Sequence, residues 1–263
     1  MRRTRAVIVT RVSRRFSRRI QSRERAEEAF GLPVTAEIPL ATPHDTGAEP
    51  DVEVASHPDS ASSKAYRQLA AHIERVMRHD RDPAQGDPGP RSFTILITSA
   101  RDEPARSYVA VNLAAVFADS GDRVMVATTR GLQAEQAGNG SHAPSDNGDG
   151  PTTPEAIVSR ARPSWIPGVS SLALGQLYST SEGLLRGFGQ FAGAAHKVVD
   201  DLVLEAPLLA SREGAALLPL VDLVVVVCEC GRTPAEDGFE SQRLLTRDLF
   251  LPILGVVLAD APA

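Results

Sequence analysis

Residues 94–108 run Thr-Ile-Leu-Ile-Thr-Ser-Ala-Arg-Asp-Glu-Pro-Ala-Arg-Ser-Tyr, and no other stretch restricts the fold as strongly. The apolar run Ile95-Leu96-Ile97 reads as a buried strand. It enters a tight turn and passes directly into a helical pattern at Val109, Leu113, Val116 and Phe117. Strand, turn and helix start aim backbone N–H groups and the positive end of a helix dipole at one spot, a geometry that suits phosphate. A loop with that task reads G-x-x-x-x-G-K-[ST]. Here Ala100 and Ala105 stand at the glycine positions, and Arg106-Ser107 stands where Lys-Ser would be.

The departures remove phosphate chemistry one atom at a time. Pro104 has no N–H to offer. Ala105 resists the positive φ that glycine accepts. Asp102 and Glu103 are expected to bring carboxylates towards a site for a polyanion. Two unit charges about 4 Å apart repel by roughly 4 kcal/mol at an effective dielectric of 20. Arg106 keeps the cation but as a bulkier, fork-shaped group. Ser107 is the one loop residue left to ligate Mg²⁺. Together these changes argue against tight ATP binding.

The rest of the chain alternates strands and helices. A short helix over 22–31 ends at Gly31 and leads into an extended segment, Leu32–Pro39, whose prolines keep it out of a sheet centre. Residues 62–78 form a helix capped by Ser62 or Ser63, with Tyr66, Leu69, Ile73, Val76 and Met77 on its apolar stripe. Residues 93–128 give strand, helix and strand, the second strand being Arg123–Ala127. Further strands are expected at Ile166–Leu174, Leu202–Leu204, Leu223–Val227 and Ile253–Leu258. Further helices are expected over 155–161, 180–197 and 235–249. Continuous apolar strands between helices imply an α/β fold with a doubly wound, mostly parallel sheet covered on both faces. Segments 41–60, 80–92 and 133–153 are rich in Pro, Gly, Ser, Asn and Asp and are read as linkers, the last as disordered. Three parts follow: an Arg-rich arm (1–21), a segment with linker and helix (22–92), and a main domain (93–263) with a flexible insert at 131–153.

Charge and composition set limits. Residues 1–25 carry ten Arg and one acid, Glu24, in a chain whose net charge is −5. Such an arm suits an anionic membrane surface. Nucleic acid is disfavoured, because no aromatic residues are interleaved for base stacking. No window reaches the roughly 20 apolar residues of a membrane span. Cys228 and Cys230 are too few for a disulfide framework and suit a reducing cytoplasm. Both point to one face of a strand, as buried small residues. The six histidines are scattered, and no ligand spacing suggests a metal site.

The order of these segments resembles the cytoplasmic domain of the bacterial tyrosine kinases that work with polysaccharide co-polymerases, within the wider P-loop group of MinD and ParA. The resemblance runs from about residue 20 to 263. It rests on Ser22–Val34, Lys64-Ala65-Tyr66-Arg67-Gln68-Leu69, Asn112-Leu113-Ala114, Gly121-Asp122-Arg123-Val124, Ile166-Pro167-Gly168-Val169, Pro219–Asp222 and Gly255–Leu258. Where the family loop reads S-A-x-P-G-E-G-K-S-T, Glu103, Ala105, Arg106 and Tyr108 replace Gly, Gly, Lys and Thr. Thr128-Thr129-Arg130 stands at the family's D-A-D. Val203-Leu204-Glu205-Ala206-Pro207-Leu208 stands at I-I-D-T-P-P, so Glu205 keeps a carboxylate one methylene longer. Ala259 replaces an Asn near the adenine. The family's C-terminal tyrosine cluster has no counterpart among residues 1–263, whose three tyrosines stand at 66, 108 and 178. Of the helix motif E-x-x-R-x-x-R only Arg67 remains, with Lys64 and Ala70 at the other positions.

The resemblance implies a degenerate nucleotide site at Ser99, Ala105, Arg106, Ser107, Tyr108 and Glu205. ATP and Mg²⁺ would be its cofactors, held by Ser107 and Glu205, only if the loop still binds. It implies a partner or self-association helix carrying Lys64, Tyr66 and Arg67. The expected role is a pseudokinase that scaffolds or regulates exopolysaccharide or capsule assembly or export. Its partner would be a membrane co-polymerase or an active kinase, and its place the cytoplasm or the inner membrane face. Two alternatives are a weakly active tyrosine kinase or ATPase, with Tyr66, Tyr108 or Tyr178 as acceptor, and a MinD/ParA-like positioning protein.

Overall fold

The computed structural model describes residues 19–40, 52–79, 92–129, 153–176, 178, 181–206, 208–246 and 252–259. Its order is α1 (Arg23–Phe30), β1 (Val34–Ile38), α2 (Glu53–Ser56), α3 (Ala61–His79), β2 (Phe93–Ser99), α4 (Pro104–Asp119), β3 (Val124–Thr128), α5 (Pro154–Val158), β4 (Arg162–Pro163), β5 (Val169–Ala173), α6 (Ser181–Ala195), β6 (Asp201–Glu205), α7 (Arg212–Leu217), β7 (Leu223–Glu229), α8 (Ala235–Leu245) and β8 (Ile253–Ala259). The strands form one sheet in the order β1-β8-β7-β2-β6-β3-β5-β4. Every pairing is parallel except β4 with β5.

The period of two along each strand sorts the core into two layers. Leu96, Met125, Leu202, Leu204, Val224, Val226, Val256 and Leu258 face one side, under α1, α6 and α8. Ile95, Ile97, Val124, Val126, Val203, Val225, Val227 and Val257 face the other, under α3 and α4. Strands with apolar residues on both faces have to be covered twice, which produces the doubly wound arrangement. Cys228 lies in the first layer and Cys230 packs against it.

Local signals account for several boundaries. Ser22 caps α1 by accepting from Arg25 N, and Gly31 ends it at φ 64°. Gly255 is required by close approach: a Cβ there would lie 2.5 Å from Pro33 O, and its φ is 141°. The cap of α3 is Ser60, whose Oγ accepts from Ser63 N at 3.0 Å, not Ser62 or Ser63. Ser63 Oγ instead donates to Glu53 O and His57 O, stitching α2 to α3. The segment read as linker 41–60 therefore contains α2. That turn is held by tertiary contact, since Asn112 Oδ1 on α4 accepts from Val54 N at 3.1 Å. Residues 41–51 of that linker, most of 80–92, the insert 131–153 apart from Thr153, and residues 1–18 of the arm lie outside the described residues. Among the described residues, no helix is long and apolar enough to cross a membrane.

Candidate functional site

The parallel register of β2 with β6 places Ile97 beside Glu205, so the end of β6 abuts the turn that follows Ser99. The turn is drawn in by two backbone bonds, Ala206 N to Ile97 O at 3.0 Å and Leu209 N to Ser99 O at 2.9 Å. After Glu103 the chain becomes α4, with Pro104 in its first turn. Pro is suited there, because its missing N–H has no intrahelical partner to lose. Ala105 is therefore helical and fully buried. The positive φ it was expected to resist is not demanded of it.

Arg106 and Ser107 project from that first turn onto Glu205. Arg106 Nε donates to Glu205 Oε1 at 3.4 Å, Nη1 to Ser99 Oγ at 3.1 Å and Nη2 to Asp102 Oδ1 at 3.1 Å. Its side chain is only 3% exposed. Ser107 Oγ donates to the same Glu205 Oε1 at 2.7 Å. Thr129, one of the residues at the lost acidic motif, donates through N and Oγ1 to Glu205 O. The residue at the lysine position thus spends its charge inside the protein. All three of its nitrogens are held by protein oxygens, and the carboxylate on β6 is neutralised by that guanidinium.

The two loop acids separate. Asp102 stays exposed and pairs with Arg106. Glu103 does not face a polyanion site. Its side chain is buried and turns away to the β7–α8 loop, where Oε2 accepts from Glu229 N at 3.2 Å and Oε1 from Thr233 Oγ1 at 2.5 Å. The buried carboxylate gains two donors there, which offset part of the cost of its burial. Burial is still the larger effect and pushes Glu103 up to about 7. Sequence reasoning missed this contact, because Thr233 lies 130 residues away along the chain. The one signal was a large acid at a glycine position.

The other candidates scatter. Tyr108 is half-buried on α4, and its carbonyl accepts from Asn112 Nδ2. Tyr66 is 1% exposed and belongs to the core between α3 and α4, so Lys64 and Arg67 alone of that trio reach the surface. Arg67 donates to Pro58 O. Tyr178 is half-buried over Gly187. Pro207 and Arg130 lie outside the described residues. Among the described residues, no group of three or more His, Cys, Asp and Glu could hold a metal ion.

No protein-family model matches the chain, and no curated protein does. Solved structures do. The BceF tyrosine kinase domain superposes with a TM-score of 0.67 at 17% identity, over 93% of this chain and 100% of that one. The chimerical protein CapA2B2 gives 0.66 at 17%, over 92% and 100%. The kinase domain of the Escherichia coli tyrosine kinase ETK gives 0.65 at 20%, over 92% and 95%. The fold is that of the bacterial tyrosine kinase domains. At these identities the likeness concerns the backbone, and the chemistry of the site has to be read from the residues themselves.

A nucleotide with Mg²⁺ is the ligand that such a fold implies. The residues here do not fit it. A P-loop lysine must be free to meet phosphate oxygens, whereas Arg106 is buried and bound to three protein groups. The glycine whose backbone would approach the phosphates is Glu103, anchored elsewhere.

Proposed function

We propose that this chain is a catalytically silent relative of the tyrosine kinase domains, acting as a scaffold or regulator. The observation that carries the reading is the closed set Arg106–Glu205–Ser107. Phosphoryl transfer depends on positioning and charge neutralisation, with a lysine and metal ions meeting the phosphates. Here the cation at the lysine position pairs with the carboxylate on β6, and the loop hydroxyl donates to that same carboxylate. The setting in exopolysaccharide or capsule biosynthesis or export comes from the sequence resemblance. So does the proposed partner, a membrane co-polymerase or an active kinase homologue. Lys64 and Arg67 on α3 are the residues offered for docking or self-association, and the Arg-rich arm for contact with the inner membrane face. The main domain at 93–263 is taken as the working unit, with 22–92 as its extension.

Isothermal titration of ATP and ADP with Mg²⁺ into the full chain tests this. No binding up to millimolar nucleotide supports the silent relative. Micromolar binding overturns it, because Arg106 would have to leave Glu205. A second reading, a weakly active ATP-dependent kinase or ATPase, is favoured by one observation: Ser107 and Glu205, the pair that would serve Mg²⁺, are still 2.7 Å apart. ATP hydrolysis or tyrosine labelling that disappears in Glu205→Ala would put it first.

A further inference from the structure

Glu103 occupies a glycine position of the family loop, yet its carboxylate spans to a different part of the molecule. The β7–α8 loop that it reaches also holds the start of the described chain. Ile20 N donates to Thr233 O at 2.8 Å, and Gly231 N donates to Ile20 O at 2.7 Å. Arg19 Nη1 donates to Gly231 O at 3.1 Å, and Arg19 bridges Pro234. The same Thr233 therefore binds Glu103 by its hydroxyl and Ile20 by its carbonyl. A continuous path links the degenerate loop to the point from which the Arg-rich segment departs.

The path contains a second buried acid. Glu229 is 2% exposed, and its Oε1 is paired with Arg232 Nη1 at 2.7 Å. Its Oε2 is buried and has no hydrogen-bond partner. An orphan carboxylate oxygen on a residue whose own N–H binds a second buried carboxyl is costly unless a donor is supplied. The described neighbours offer few alternatives. Arg101 lies 57% exposed and pairs with Asp237 on α8 at 3.7 Å. Arg232 is taken by Oε1, and Arg19 by Gly231 O. The Cys228 thiol, pushed up to about 12 by burial, stays neutral. A protonated Glu103 keeps Oε1 as the acceptor for Thr233 and turns Oε2 into a donor, while Glu229 N, which gives up Oε2, keeps Thr233 Oγ1 at 2.9 Å.

We infer that the Glu103 carboxyl, once protonated, donates to the unpartnered oxygen of Glu229 and so fastens the loop between β2 and α4 to the end of β7 and to the root of the basic arm. One proton taken from water makes Glu103 a donor to Glu229 Oε2 and relieves the repulsion between the two acids. The junction is then tighter in the protonated state. Burial pushes Glu103 up to about 7, so the transition falls near neutrality. The sign follows from linkage. The closed junction binds the proton more tightly than the opened one, so its stability is greatest at low pH and is lost as pH rises through about 7.

Amide exchange of Ile20, Gly231 and Glu229 in the full chain, corrected for the intrinsic rate, measures opening of the junction. Protection is expected to fall about tenfold from pH 6 to pH 8 in the wild type. Glu103→Gln, a permanently neutral donor, should hold the high value across that range. The interior amides of Leu96 and Val225 report whether the sheet stays folded. Should Glu103→Gln fail to fold, Glu229→Gln has to weaken the pH response instead, since it removes the acceptor and the charge but leaves Glu103 buried. The Glu103 side-chain carboxyl, followed by its ¹³C shift, should titrate near neutrality. Flat wild-type protection between pH 6 and 8, or an equal pH slope in the folded variant, overturns the inference.

Discussion

Replacing Glu205 by Ala tests how far the remodelled site has become part of the protein's own stability. Arg106 Nε lies 3.4 Å from Glu205 Oε1, with both side chains nearly sealed from solvent. Unit charges at that separation attract by about 5 kcal/mol at an effective dielectric of 20. Desolvation offsets much of this in the wild type, but the offset does not vanish when one partner goes. Arg106 would then keep Ser99 and the carboxylate of Asp102, which is 73% exposed and so weakly coupled. Ser107 would also lose its 2.7 Å acceptor. A stranded buried charge of this kind costs about 3–5 kcal/mol. Urea unfolding followed by far-UV circular dichroism, with the slope m compared, measures it. The companion variant removes both charges, Arg106→Met with Glu205→Leu, and should recover at least about 2 kcal/mol. A loss below about 1 kcal/mol for Glu205→Ala refutes the argument, as does a double variant no more stable than the single one.

Asp102→Ala should cost no more than about 0.5 kcal/mol in the same assay, because its ion pair is largely in water. Tyr66→Phe should leave stability unchanged or raise it by about 1 kcal/mol, since the Tyr66 hydroxyl is buried without a hydrogen-bond partner among the described residues. A clear loss would mean that the hydroxyl has a partner. Burial and the nearby carboxylates of Asp122, Asp200 and Glu74 push Asp201 up to about 7. Its contribution is therefore largest at acid pH and is lost as pH rises from its ordinary value to about 7. Asp201→Asn should flatten the pH profile of unfolding across that window. Gly255→Ala should lower stability by about 1–3 kcal/mol, because the new Cβ meets Pro33 O within a left-handed backbone.

The elements read directly from sequence were those whose own residues decide them. Leu69 and Ile73 recur at helical spacing, and α3 follows within a residue of the expected ends. The apolar runs at 95–97, 202–204 and 223–227 are strands with both faces covered. Elements dictated by partners were not legible. The turn α2 depends on Asn112 of a helix 58 residues away. The two-residue β4 contains Pro163 and exists by pairing with β5. Short α7, for which no helix was expected, is capped by Ser211, whose Oγ accepts from Gly214 N at 2.9 Å. At the site, the sequence revealed which residues had changed but not where they went. Arg106 was legible as a cation in the wrong shape. Its inward pairing required knowing that β6 lies beside β2. The direction of Glu103 required β7 on the other side.

The two ends of the sheet constrain how such chains can assemble. At the first residue of β1, the backbone N–H and C=O of Val34 are taken by the side chains of Glu27 and Arg23. At the opposite margin, β4 is two residues long and one of them is Pro163, which has no N–H. An incoming strand finds no continuous ladder at the start of β1 and almost none at β4. Among the described residues, both margins thus work against backbone pairing that would accept any extended peptide, and they favour contact through helices and loops, where side chains choose the neighbour.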